Sequence, residues 1–466
     1  MLTIDKKSKI PLYEQLYEQL KQQIISGSMA AGQRLPATRE LSSEYQLSRN
    51  TIINAYRQLE IEGYIKPITG SGYYVENLNS FKIDLPKAAA FPAAPKQPEQ
   101  SFDYIFSYGD LDYNCYSSKE WRKCLLNAYD RLAFQNSVVY ENPQGFFDLR
   151  KHLSAYLYQS RGVKCSAEQI ILTSGHQQSL QIIANMFAHA DWKFAMENPG
   201  YNGTRQVMEH NNFQVTPVPV EADGISLPAV QSLFHTLLCV TPSHQFPLGS
   251  VLPISKRFKL LEWAAENDGY IIEDDYDSEL RYHNRPIPSL QSIDSGDHTI
   301  YLGTFSKSLS PDLRIAYIVL PAHLLDTYRE KYLYTNCSVP TLFQLALAEY
   351  IESGKYQRHI NTIRTHYRKK HDYIRNFFKE SLTGKAALIG EDAGLHFIIS
   401  IHTKQNQTEL IERFAQNKIR IYPTELFWID KAVCPQNQLL LGFSAIPLTQ
   451  LPIAMKKMSE VINSIV

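Results

Sequence analysis

Apolar residues in the first 78 positions recur first with the period of a helix and then with that of a strand. Leu12, Leu16, Leu20 and Ile24 fall every four residues, which predicts a helix with one buried stripe. Pro11 opens it where a missing N–H costs least, and Gly27 closes it. A second, short helix is expected from Thr38 to Tyr45, with Leu41 and Tyr45 inward. Gln46 and Leu47 make a tight turn. Ser48 is a good N-cap for a third helix that runs to Glu62 and stops at Gly63, with Ile52, Tyr56 and Leu59 as its inner stripe. YIKPITGSGYYVE reads as two short strands about Gly70-Ser71-Gly72. Three helices and a hairpin in that order describe a winged helix-turn-helix.

The periodicity then lapses. FKIDLPKAAAFPAAPKQPEQS is dominated by Pro and Ala and reads as a stiffened, extended linker. The chain therefore divides into a head at 1–78, a linker at 79–101 and a body at 102–466. In the body, IILTS, TLLCVT, YIIED and HTIYLGT are short apolar runs ending in polar residues, with helical segments between several of them. That alternation predicts an α/β body with a mostly parallel central sheet covered on both faces. Ligands of such sheets sit beyond the carboxyl ends of the strands, where these polar residues fall.

Composition narrows the picture only a little. A chain of 466 residues is too long for one ordinary core. Lys+Arg and Asp+Glu both number 47, so no general charge draws it to nucleic acid or membrane. The N-terminus lacks the apolar stretch of a signal peptide, and no apolar run is long enough to span a bilayer. The six cysteines are scattered, without metal-ligand spacing, and fit free thiols in a cytoplasmic setting. No metal site is expected.

Chemistry in the head depends on order rather than charge. Residues 1–78 hold nine Lys/Arg against eight Asp/Glu, which alone describes a solvated surface. A recognition helix, however, presents its first residues to the major groove, and here these are Ser48, Arg49, Asn50 and Thr51. Arginine pairs twice with guanine, and asparagine does the same with adenine. Arg34 and Arg39 stand before and inside the preceding helix, placed to hold the DNA backbone. The head resembles the GntR family of bacterial regulators through Leu35-Pro36, Arg39-Glu40-Leu41, Leu47-Ser48-Arg49-Asn50-Thr51, Leu59-Glu60, Glu62-Gly63-Tyr64 and Gly70-Ser71-Gly72-Tyr73-Tyr74-Val75. That resemblance implies operator DNA as a partner. It implies Arg39, Ser48, Arg49, Thr51 and Gly72 as contacts, with Tyr56 in support and Arg34 and Asn50 beside them.

Three features of the body match what pyridoxal phosphate (PLP) requires. Lys307, in GTFSKSLSPDLR, follows an apolar run, is flanked by the hydroxyls of Thr304 and Ser306, and precedes Arg314, suited to a phosphate. Asp274, in YIIEDDYDSELRY, is a carboxylate able to keep a pyridine nitrogen protonated, with Asp275 and Asp277 as competing candidates. Tyr276 is placed to bond the ring hydroxyl. Gly175, His176 and Gln177 open a helix whose first N–H groups suit an anion. Tyr201 is a candidate to stack on the ring.

The order helix start, aromatic, acid, lysine, arginine resembles fold-type I aminotransferases from about Tyr140 onward. With the GntR-like head, and with Thr241-Pro242-Ser243-His244-Gln245-Phe246-Pro247 and Gly394-Leu395-His396, the whole chain is similar to the MocR subfamily, the GabR-like regulators. The resemblance implies Lys307 as the Schiff-base lysine and Asp274 and Tyr276 at the ring. It implies His176, Gln177, Thr304, Ser306 and Arg314 at the phosphate. It also implies a homodimer in which the head of one subunit lies over the body of the other.

Two positions depart from true aminotransferases. Phe246 stands before Pro247-Leu248-Gly249 where those enzymes carry an asparagine. Leu440 stands where they carry the arginine that binds the substrate carboxylate. Arg205 and Arg281 are the remaining candidates for such a clamp. The expected function is a DNA-binding transcription regulator whose body senses an amine, an amino acid or PLP itself. The alternatives are a working aminotransferase tethered to DNA, and a regulator whose body no longer binds cofactor.

Overall fold

The structure, a computed structural model, describes residues 2–78, 101–112, 119–134, 142–188, 191–283 and 287–466. The chain divides into two compact units, Met1–Glu99 and Gln100–Val466. All of the expected linker except Ser101 lies outside the described residues, as do Tyr140 and Cys115.

In the first unit the helices are α1 (Leu12–Ile25), α2 (Thr38–Glu44) and α3 (Arg49–Ile61), followed by strands β1 (Ile65–Ile68) and β2 (Gly72–Val75). The strands pair antiparallel from Ile65↔Val75 to Ile68↔Gly72. Leu16, Leu20 and Ile24 of α1 meet Leu41, Ile52, Tyr56 and Leu59 in one apolar cluster. Each such buried aliphatic contributes about 1.5–3 kcal/mol. Helix ends depart from the sequence expectation by about a residue, as frayed ends do. Pro11 is the residue before α1, Tyr45 is half-buried just past α2, and α3 stops one residue short of Glu62. Ser48 caps α3, its hydroxyl accepting from the Thr51 N–H at 3.1 Å.

The strands of the second unit are, in chain order, β3 (Tyr104–Ile105), β4 (Ile170–Thr173), β5 (Lys193–Asn198), β6 (Val215–Glu221), β7 (Gly224–Ile225) and β8 (Thr236–Val240). They continue with β9 (Tyr270–Asp275), β10 (Thr299–Thr304), β11 (Ala316–Val319), β12 (Ala386–Ile389) and β13 (His396–Ile401). The last are β14 (Ile419–Arg420), β15 (Tyr422–Pro423) and β16 (Gln438–Gly442). Eight form one sheet in the order β4-β11-β10-β9-β8-β5-β6-β7. From β6 through β5, β8 and β9 to β10 every pairing is parallel, and β11 runs antiparallel between β10 and β4.

Both faces of this sheet are buried, which explains the unbroken apolar runs. Side chains alternate across it. Ile171, Ile300, Leu302 and Ile318 join one core cluster, while Leu172, Tyr301, Tyr317 and Val319 join another. The sequence reading did not foresee a second, antiparallel sheet, β12-β13-β16-β15. It is covered by the helices Lys355–Ser381 and Leu451–Ile465 through Ile374, Phe378, Phe397, Leu441, Met455 and Met458. Among the described residues no helix is long and apolar enough to cross a membrane, and five cysteines are free.

Candidate functional site

The carboxyl ends of several central strands open on one cavity of about 250 Å³. The turn after β4 brings His176 and Gln177, the turn after β5 brings Tyr201, β9 and its continuation bring Asp274 and Tyr276, and β10 with the loop after it brings Thr304, Ser306, Lys307 and Arg314. These nine residues, drawn from positions 176 to 314, were each singled out from sequence.

At one end the donors of an anion site converge. Gly175 precedes the helix His176–Phe187, whose first N–H groups have no partner within the helix. Its backbone lies at φ 129 and ψ 168, a region that only glycine occupies readily. A Cβ there would fall 2.4 Å from Arg314 Nη2, so the missing side chain is the space the guanidinium fills. Thr304 Oγ1 accepts from the Ser306 N–H at 3.1 Å and contacts Ser306 Oγ at 3.0 Å, which fixes two hydroxyls at the cavity wall.

At the other end lies the acid. Strand alternation turns Asp274 and Asp275 to opposite faces, and Asp277 lies beyond the end of β9. Asp275 faces away from the cavity and accepts from Arg161 Nε at 2.8 Å and from the Tyr301 hydroxyl at 2.5 Å. Asp277 bonds His244 Nδ1 at 2.8 Å. Asp274 alone of the three lines the cavity, with His176 Nε2 at 3.4 Å. Burial pushes the Asp274 carboxyl above its ordinary range, against the pull of His176.

Lys307 lines the same cavity. Burial pushes its amine down to about 8, with Asp277 and Asp110 opposing the fall. The Tyr108 ring lies under the amine at 4.3 Å, and a Cβ on Gly109 would come within 3.2 Å of it. Tyr108, Phe246 and Pro311 also line the cavity and were not named among its expected residues. Tyr108 is about two hundred positions from Lys307, and no local pattern signals that meeting. Phe246 packs on Tyr108, Tyr201 and Tyr276 at ring separations of 5.0, 5.7 and 6.0 Å.

In the head, Arg49, Asn50 and Arg39 are exposed, and Thr51 is half-buried at the start of α3. Ser48 and Thr51 share a hydroxyl contact of 2.8 Å. Tyr56 sits in the core with its hydroxyl donating to the Pro36 carbonyl at 2.9 Å, so it supports α3 from within. Gly72 has φ +111, and a Cβ there would meet Arg34 Nε at 3.3 Å, so Arg34 is laid along the wing.

The family model for aminotransferase class I and II matches residues 106–432, and that for bacterial regulatory proteins of the gntR family matches 12–75. Over 479 residues the chain is 32% identical to the probable rhizopine catabolism regulatory protein MocR of Rhizobium meliloti, covering 100% of this chain and 95% of the other. The chain belongs to the MocR-like HTH-type transcriptional regulators. It is also 36% identical over 453 residues, 96% of each chain, to the uncharacterized HTH-type transcriptional regulator YdeL of Bacillus subtilis (strain 168). Among solved structures it resembles Pyrococcus horikoshii kynurenine aminotransferase, with a TM-score of 0.69 and 24% identity over 77% of this chain and 90% of that one, which is a likeness of fold.

For a MocR-like regulator the aminotransferase body implies PLP binding, and the GntR head implies operator DNA binding. The cavity residues fit the cofactor: an arginine, two hydroxyls and a helix start suit its phosphate, a buried acid suits its ring nitrogen, and a buried lysine of depressed basicity shares the cavity with them. The carboxylate clamp of an aminotransferase is harder to place. Leu440 is buried in β16 between Ile398 and Tyr422. Arg281 donates to the Ser243 carbonyl at 2.9 Å, and Arg205 to Asn202 at 2.6 Å. Neither lines the cavity, and Arg314 is the one arginine that does among the described residues.

Proposed function

We propose that this regulator holds PLP on Lys307 and uses the occupied cavity to sense an amine, an amino acid or PLP itself, changing how its heads hold operator DNA. The observation that carries the reading is the single cavity in which Lys307, Asp274 and Arg314 converge, in a chain that also carries a winged helix-turn-helix. Held at Lys307, PLP would supply an electron-poor ring and a carbonyl carbon open to exchange between amines.

The chain's own residues do the rest. Arg314, Thr304, Ser306 and the N–H groups at His176 and Gln177 hold the phosphate. Asp274 keeps the ring nitrogen protonated, steadied by His176. Tyr201 and Phe246 wall the ring, and Tyr276 serves its hydroxyl. An amine taking the place of Lys307 would change the charge and contacts over the Tyr108 ring, which would give the ligand unequal affinity for two states of the body.

On DNA, Arg49 and Asn50 read base edges, Ser48, Thr51, Arg39 and Arg34 hold phosphates, and Gly72 lets the wing approach. A homodimer with each head over the partner's body presents two heads to two half-sites, in the cytoplasm. A cavity with no second arginine among the described residues favours sensing over sustained turnover. The test is the visible spectrum of purified chain given PLP: wild type turns yellow and Lys307→Ala does not. A colourless wild-type protein contradicts the proposal.

A further inference from the structure

We infer that His244 and Asp277 form a positioning pair that forces the Tyr276 hydroxyl to donate its hydrogen into the cavity. The inference rests on the cofactor reading above and adds two residues to it.

His244 Nδ1 makes two contacts, to Asp277 Oδ2 at 2.8 Å and to the Tyr276 hydroxyl at 2.9 Å. An ionised carboxylate only accepts hydrogen bonds, so Nδ1 must carry the proton. A protonated Nδ1 has no lone pair, and Tyr276 cannot donate to it. Its one hydrogen is shared between Asp277 Oδ2 and the phenol oxygen, so Tyr276 only accepts on that side and its own hydrogen is left to point elsewhere. The cavity is where it points, because Tyr276 lines it.

The opposite tautomer is doubly disfavoured. It would set a bare Nδ1 lone pair against the carboxylate, and it would place a proton on Nε2, which is buried and has no hydrogen-bond partner among the described residues. The pair is also wedged in place. A Cβ on Gly394, whose φ is +81, would fall 2.3 Å from His244 Cε1 and 2.7 Å from Asp277 Oδ2.

The consequence is chemical. A donor to the ring oxygen of PLP stabilises its deprotonated form and weakens its hold on the imine proton. The pair thereby lowers the pH at which the visible band of the loaded protein titrates. The Phe246 side chain gives no hydrogen bond where aminotransferases place an asparagine, so the His244–Asp277 pair does the tuning through Tyr276 instead. Titratable groups facing Tyr276 and His244 are Asp274, Asp277, Glu197, Tyr108, His396 and Lys307. Burial raises Glu197 to about 7, so midpoints are compared between variants rather than read singly.

The test is the pH midpoint of the visible band in PLP-loaded full-length protein. Tyr276→Phe and His244→Phe should each raise it by on the order of one pH unit, the worth of one hydrogen bond to a charged group. The double variant should titrate with Tyr276→Phe alone, because His244 acts through that hydroxyl. His244→Asn, whose amide N–H takes the place of Nδ1–H, should return the midpoint toward wild type, and it serves if the phenylalanine variant does not fold. A His244→Phe midpoint equal to wild type, or shifts that add in the double variant, overturns the inference and leaves the cofactor reading standing. A wild-type protein that stays colourless overturns the cofactor reading, and this inference with it.

Discussion

Replacing Gly175 by alanine separates two effects that the structure places on one residue. The backbone there, at φ 129 and ψ 168, costs a non-glycine residue about 1–3 kcal/mol, and that strain acts with or without cofactor. It should appear as lost stability in urea. The added Cβ meets Arg314 Nη2 at 2.4 Å and Cζ at 3.0 Å, so the guanidinium must turn away. Arg314 is itself in the left-handed region at φ 50, which leaves side-chain rotation as its cheapest retreat. Losing one charge-assisted contact to the phosphate costs about 1.5–3 kcal/mol, a fall of roughly 10- to 150-fold in PLP affinity. Absorbance titration of the apo full-length chain measures it. A Gly175→Ala protein that binds PLP within about threefold of wild type, while losing stability as expected, would refute Arg314 as a phosphate ligand.

Four further outcomes are expected. Arg49→Ala or Asn50→Ala should relax base preference by about 1–3 kcal/mol at one position, whereas Arg39→Ala should weaken all sequences alike and reduce the salt slope of binding by about one, both read by anisotropy on duplexes at several salt concentrations. Asp112→Ala removes the carboxylate that takes the fully buried Lys370 ammonium at 2.8 Å and His366 at 3.2 Å; a stability loss of about 3–5 kcal/mol should appear in urea. Because the Lys307 amine sits at about 8 in the folded chain, PLP uptake by apo protein should accelerate as pH rises through 8 and level off above it. The same depression means the unfolded chain holds that proton more tightly, so burying the amine weakens the fold below pH 8. The penalty fades as pH climbs toward 10.5, and Lys307→Met should remove it from urea midpoints across that range.

The head was legible because its elements are local: a four-residue apolar stripe, a serine cap and a glycine stop each act within one turn of helix. The central strands were legible for a different reason. Burial on both faces demands unbroken apolar runs such as IILT and TLLCV, and the polar residue ending each run marks the ligand side. The second sheet was missed because β13 and β16 are separated by the helix Gln407–Gln416, by β14 and β15 and by two short 3-10 turns, so nothing local announces their pairing. The acid run shows the same limit at finer grain. Alternation says that Asp274 and Asp275 face opposite sides, but which side holds Lys307 depends on β10 lying next to β9. His244 was visible only as part of a motif, since its two partners lie 32 and 33 residues away.

The most direct test of the whole account records colour and DNA affinity in the same cuvette. Full-length protein loaded with PLP is titrated with a panel of amines and amino acids against a labelled duplex selected by the protein from a random pool. The account predicts one ligand class that shifts the visible band and the duplex affinity at the same concentration, with both responses lost in Lys307→Ala. Ligands that change the band while the affinity stays fixed, for every member of the panel, would contradict it.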